Sequence, residues 1–132
     1  MSAPVEPVNP ESLVAPRGYS HGMKGRGEVL FVAGQIGWDR EGRMVAGGFV
    51  AQFAQALENV LAVVRAAGGG PPSVARLTLY VTDKREYRAQ QREIGEAYRR
   101  LMGKHFPAMA LVEVKGLLED EARVEIEAVA LL

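Results

Sequence analysis

Val74-Ala75-Arg76-Leu77-Thr78-Leu79-Tyr80-Val81 alternates along its whole length. Successive side chains of a strand point to opposite faces. Ala75, Leu77, Leu79 and Val81 therefore form an apolar face, and Arg76, Thr78 and Tyr80 a mixed, polar one. The flanking segments change period. Upstream, Phe49, Phe53, Leu57, Val60, Leu61 and Val64 recur at helical spacing, with Gln52, Gln55, Glu58 and Arg65 elsewhere, which predicts a helix over about 49–67. Gly68-Gly69-Gly70-Pro71-Pro72 ends it, since glycine supplies a left-handed cap and proline prevents continuation. Downstream, Asp83 is placed to cap a second helix with Tyr87, Ile94, Tyr98 and Leu101 inward.

Further out, the chain reads as strands on both sides. Tyr19 to Met23 is a short strand closed by Lys24-Gly25-Arg26-Gly27, with Gly22, Gly25 and Gly27 in a hairpin. Glu28 to Ala33 is apolar on both parities and so needs cover on both faces. Two strands, about Ala108 to Lys115 and Ala122 to Leu131, close the chain. Strands, helix, strand, helix, strand, strand is an α+β order. Two helices cover one sheet face. The other keeps Arg76, Thr78, Tyr80, Arg123, Glu125 and Glu127 beside Val29 and Phe31, too apolar for open water. That face is expected to meet other subunits. Residues 1–17, broken by Pro4, Pro7, Pro10 and Pro16, read as an extended N-terminal arm, and 18–132 as a single domain.

Composition narrows the class. The 132 residues suit one core, with 48% hydrophobic and 24% charged residues, both ordinary for a globular domain. Lysine plus arginine equals aspartate plus glutamate, sixteen each, so no net field draws in nucleic acid. Cysteine is absent, which excludes disulfides and thiol chemistry and accords with a reducing compartment. No basic start precedes an apolar run, and none approaches the ~18 residues of a membrane helix. A cytoplasmic protein without membrane partners is the expectation.

Phe106-Pro107-Ala108-Met109-Ala110 and Val124-Glu125-Ile126-Glu127-Ala128, read with Ala33-Gly34-Gln35-Ile36 and Tyr19-Ser20-His21, resemble the RidA/YjgF family, also labelled L-PSP endoribonucleases. The resemblance spans roughly residues 17–132. It implies a chorismate-mutase-like α+β fold, a mixed β-sheet with two helices on one face, assembled as a homotrimer with small-molecule sites in the clefts between subunits. It also implies imine or enamine deamination without a cofactor: water adds to a C=N carbon and ammonia leaves. By the same resemblance Glu125 is the catalytic residue that helps water, while Tyr19, Gly34 and Gln35 shape the pocket. Members carry an arginine for the substrate carboxylate where this chain has Met109, a flexible apolar side chain suited to an uncharged ligand. Arg92 and Arg17 are the two cations named as substitutes, with Arg92 counted among the substrate-binding residues.

Other readings stay open. Arg123, Glu125 and Glu127 alternate as any half-covered strand does, and Glu127 has Arg76 as a candidate partner. His21 and His105 stand 84 positions apart without metal-ligand spacing; His21 sits at a cleft edge or on the surface, and His105 in a solvated loop. Gly68-Gly69-Gly70 follows a helix instead of opening one and lacks the Lys-Ser/Thr of a phosphate loop. Whether the protein is an enzyme is left undecided. The alternatives are a deaminase with specificity shifted away from carboxylates, a non-catalytic ligand sensor on the same trimer, and a ribonuclease. Neutral charge and the absence of a basic-aromatic track count against the last.

Overall fold

The computed structural model describes residues 5–132; the first four positions of the expected arm lie outside the described residues. Two βαβ units and a returning strand make the architecture. Strand β3 (Val29–Gln35) leads through α1 (Phe49–Ala66) to β4 (Val74–Val81), and β4 through α2 (Lys84–Ala89) and α3 (Gln91–Met102) to β5 (Ala108–Glu113). β6 (Val124–Leu131) inserts between β3 and β4, antiparallel to both, giving a four-stranded order β3-β6-β4-β5 with β4 and β5 parallel. Right-handed crossovers put the helices of both units on one side of such a sheet. This is the mixed α+β fold expected.

α1 forms where the apolar period places it. Phe49, Phe53, Leu57, Val60, Leu61 and Val64 are all buried against Leu77, Leu79, Ile126 and Ala128 of the sheet. Its end is a Schellman motif: the Gly68 and Gly69 amides donate to Arg65 O and Val64 O, with Gly68 at φ +98°. Gln52 departs from the expected outward position. It is 5% exposed, because its amide meets the backbone of the loop before β6 instead of water.

The second helix is split. Asp83 caps α2 as expected, accepting from the Arg85 amide. At Gln90 the side-chain amide donates to Glu86 O, and the Gln90 N–H turns to Tyr87 O. The i to i−4 ladder lapses there, and α3 restarts at Gln91. Among the described residues three α-helices result where two were expected.

The N-terminal part also differs. β2 is Gly22–Gly25, not Tyr19–Met23, and it pairs antiparallel with β1 (Val5–Val8) instead of forming a hairpin with β3. The strand expected to end at Ala33 runs on to Gln35, β5 stops at Glu113, and β6 starts at Val124. In β4, Leu77, Leu79 and Val81 face the helices as read, but Ala75 does not share their face. It is the extra residue of a bulge between Val74 and Arg76, only half-buried, and Val74 takes the buried place.

One local contact sets an expectation for alkaline pH. The Tyr98 hydroxyl donates to His105 O at 2.6 Å and its ring stacks on Phe106. Burial raises its pKa well above the ordinary tyrosine range. Unfolding releases this group to titrate near ~10. The stabilisation is thus full below pH ~10 and declines as pH rises beyond it, because the folded state then holds a proton the unfolded chain has lost. Thermal unfolding between pH 8 and 11 should show a falling midpoint for the native chain and a shallower fall for Tyr98→Phe. Some slope remains in the variant because Tyr80 and Tyr87 shift in the same direction.

Candidate functional site

Glu125 lies near the start of β6, opposite Tyr80 of β4, on the sheet face that no helix covers. The neighbouring edge is shaped for it. Between Val32 and Gln35 the register of β3 on β6 slips, so the chain bulges at Ala33-Gly34. Gly34 then lies against the Glu125 side chain: a Cβ built on Gly34 would clash with Oε2 and come within 2.8 Å of Cδ. Glycine is required there for the carboxylate to occupy its place. The Glu125 carboxylate is half-buried and has no hydrogen-bond or ion-pair partner among the described residues, which leaves both oxygens open to an incoming molecule. Gln35, beside it, turns its side-chain amide back to Ala33 O. The other acid of this strand is occupied. Glu127 accepts from the Tyr80 hydroxyl at 2.5 Å, raising the Tyr80 pKa, instead of pairing with Arg76.

Met109 belongs to the opposite face. It pairs in register with Leu77, whose side chain points toward the helices. There it floors a cavity of about 410 Å³ between α3 and the sheet. Tyr19 is close by in the chain: the Ser20 amide and hydroxyl donate to Pro107 O and Phe106 O, and Ser20 bridges Ala108, so the segment 17–20 is fixed along the start of β5. Ser20 is buried, an anchor that sequence reasoning did not single out. Tyr19 packs edge-on against His21, whose Nε2 faces Val14 O. His105 is half-buried with Nε2 2.7 Å from Val74 O, not solvated as expected, because the turn before β5 folds it over the end of β4.

The named cations separate. Arg17 lines the Met109 cavity, as does Arg99 of α3, which the sequence reading missed. Arg92 does not. It stands exposed on the outer side of α3, paired with Glu96 at 3.4 Å. A single chain therefore groups Gly34, Gln35 and Glu125 on one face and Met109 with Arg17 on the other, with Tyr19 beside the start of β5 and packed on His21. Glu125 and Met109 are not brought together. Among the described residues no group of three His, Asp or Glu side chains could hold a metal ion, and no helix is long and apolar enough to cross a membrane.

The family model described as Endoribonuclease L-PSP matches residues 10–132. The chain belongs to the RidA/YjgF family. A RutC family protein of Pyrococcus horikoshii is 37% identical over 113 residues, 85% of this chain and 85% of that one. The human 2-iminobutanoate/2-iminopropanoate deaminase is 33% identical, over 78% of this chain and 72% of the enzyme. Among solved structures, the Rid-family protein YyfB of Yersinia pestis, described as of unknown function, superposes with a TM-score of 0.87. It is 33% identical over 98% of this chain and 99% of its own. RidA/YjgF relatives thus include named deaminases alongside proteins named only by family.

Proposed function

We propose that this RidA/YjgF protein hydrolyses imines or enamines, and that its specificity is shifted away from substrates bearing a free carboxylate. The observation that carries the reading is the unpartnered Glu125 carboxylate held against Gly34. In the proposed step one Glu125 oxygen takes a proton from water as the water oxygen attacks the C=N carbon. Glu125 passes that proton to the nitrogen to give the neutral carbinolamine, then takes the carbinolamine hydroxyl proton and hands it to the nitrogen as the carbonyl forms and ammonia leaves. Nothing is oxidised or reduced, so no cofactor is needed.

The reading includes assembly. Because Glu125 and Met109 lie on opposite faces of one sheet, a pocket that uses both has to form between copies. A homotrimer with the uncovered faces turned inward brings one copy's Glu125 toward the next copy's Tyr19 and Met109. Cover for Phe31, 78% exposed, and Val29, 53% exposed, supports the same arrangement. Gly34 and Gln35 shape the wall, and Arg92, turned outward, adds charge outside the cleft.

Met109 sets the substrate class. Arginine would hold a carboxylate through two charge-assisted bonds, whereas methionine offers none. A carboxylate desolvated without a partner costs several kcal/mol, and each 1.4 kcal/mol is a factor of ten. Arg17 and Arg99 stand exposed, where water screens them. Single-turnover ammonia release from freshly generated imines tests the proposal. Uncharged imines should react at least ~100-fold faster than carboxylated ones of equal size. Acceleration of both alike would mean that another cation serves as the clamp. The neutral overall charge favours a small molecule over nucleic acid as the ligand.

A further inference from the structure

Tyr80 and Glu127 meet beside Glu125, on the sheet face that no helix covers. In the pairing of β4 with β6, Tyr80 lies directly opposite Glu125, and Thr78 opposite Glu127. Directly opposite residues of an antiparallel pair have Cβ atoms ~5 Å apart; diagonal ones stand ~7–8 Å apart, still within reach of an aromatic side chain. Tyr80 takes the longer path. Its hydroxyl donates to Glu127 Oε1 at 2.5 Å, and the nearer acid, Glu125, is left without a partner among the described residues.

The choice of acceptor has chemical consequences. A tyrosine hydroxyl forms a strong, charge-assisted bond with whichever carboxylate accepts it. That bond favours the charged form of the acid and so makes it a weaker base. It also pins one carboxylate oxygen, which is then turned from an incoming water. The charged groups acting on Tyr80 are the two glutamates and Arg76. Arg76 is exposed, turns to Thr78 Oγ1 at 3.4 Å, and makes no ion pair with either acid among the described residues. The Glu127 bond, then desolvation and the two negative charges, raises the Tyr80 pKa against the opposing charge of Arg76, so the hydroxyl keeps its proton and remains a donor.

We infer that Glu127 is a positioning residue: it engages the Tyr80 hydroxyl and thereby keeps the Glu125 carboxylate free to take a proton from water. Without Glu127, a side-chain rotation lets Tyr80 donate to the acid directly across the ladder. The consequence for rate rests on Glu125 being the base; the switch of hydrogen bond does not.

Single-turnover imine hydrolysis and the carboxylate-carbon NMR resonance of Glu125, assigned by its loss in Glu125→Gln, test this in the native chain, Tyr80→Phe, Glu127→Ala and the double variant. Glu127→Ala should slow hydrolysis about 10–100-fold, the worth of one hydrogen bond to a charged group. Adding Tyr80→Phe should return the rate to within about threefold of native, the remainder being the lost Glu127 charge. A loss of fold could not be rescued in this way. Tyr80→Phe should also move the Glu125 resonance in the Glu127→Ala background and leave it in place in the native one, because phenylalanine keeps the ring and removes only the hydroxyl. Glu127→Val, β-branched and without an acceptor, repeats the test should alanine weaken the strand. A double variant as slow as Glu127→Ala overturns the inference. So does a Glu125 resonance that ignores Tyr80→Phe in both backgrounds, or responds alike in both. A native chain without turnover, or a fully active Glu125→Gln, would instead refute the hydrolytic reading; the resonance alone then decides where the Tyr80 hydroxyl goes.

Discussion

Glu125→Gln should lower imine hydrolysis by about a thousandfold, within the range of ~10²–10⁴ that a positioned acid–base group contributes, while leaving the fold and the assembly unchanged. The two side chains have nearly the same shape, so the bulge at Ala33-Gly34 can hold either. Glutamine has no basic oxygen to take the proton from water. Both Glu125 oxygens lack partners among the described residues, so the substitution breaks no structural bond and stability should be unmoved. Gly34→Ala supplies the companion test from the other side of the contact. Its Cβ meets the far end of a flexible side chain, which can swing away without unfolding anything. A displacement of about 1 Å is enough to cost up to ~100-fold in rate. A stable Gly34→Ala protein with native turnover would show that the carboxylate position is irrelevant. A Glu125→Gln protein that kept its full rate would remove the proposed mechanism altogether.

How this site was legible depends on which interactions leave a periodic trace. The alternation of β4 and the helical spacing of α1 are set by burial, and they located both elements to within a residue. Glu125 and Gly34 were named from the family resemblance. Their mutual fit could not be, because it rests on a register slip between strands nearly a hundred residues apart. The same long-range register put Met109 with Leu77, on the face away from Glu125, which no local pattern encodes. Gln52 was misread, and the break at Gln90 was not seen, for one reason: a periodicity argument treats a polar side chain as solvated, whereas each of these amides bonds to the backbone. Arg99 and Gly95 carried a faint signal, a glycine in mid-helix one turn before an arginine, and glycine spacing inside a predicted helix could have prompted a search for a cavity.

Gln52→Leu is the substitution expected to cost the most stability, about 2–3 kcal/mol, for the same reason that its burial escaped notice. The side chain bridges two separate backbone groups. Its Oε1 accepts from the Arg123 amide at 2.8 Å, and its Nε2 donates to Glu121 O at 3.0 Å. Leucine fits the volume and satisfies neither group, and an orphaned buried donor or acceptor costs ~1–3 kcal/mol. For a chain of this length, each kcal/mol moves the unfolding midpoint by about 4 °C, so a fall near 10 °C is expected in thermal or urea unfolding. Glu58→Leu, on the exposed side of the same helix, should stay within ~0.5 kcal/mol of the native chain. Space for the bridge comes from Gly37, where a Cβ would lie 2.7 Å from the Gln52 Cα. The loop leaving β3 can therefore lie flat on α1. Arg123 is two residues before Glu125, so the bond that stabilises the loop also fixes where β6 begins. The variant should accordingly lose turnover even at temperatures where it remains folded. A Gln52→Leu protein as stable as the native chain would mean that water or a rearranged loop satisfies both backbone groups. The anchoring of β6 would then have to come from the strand pairing alone.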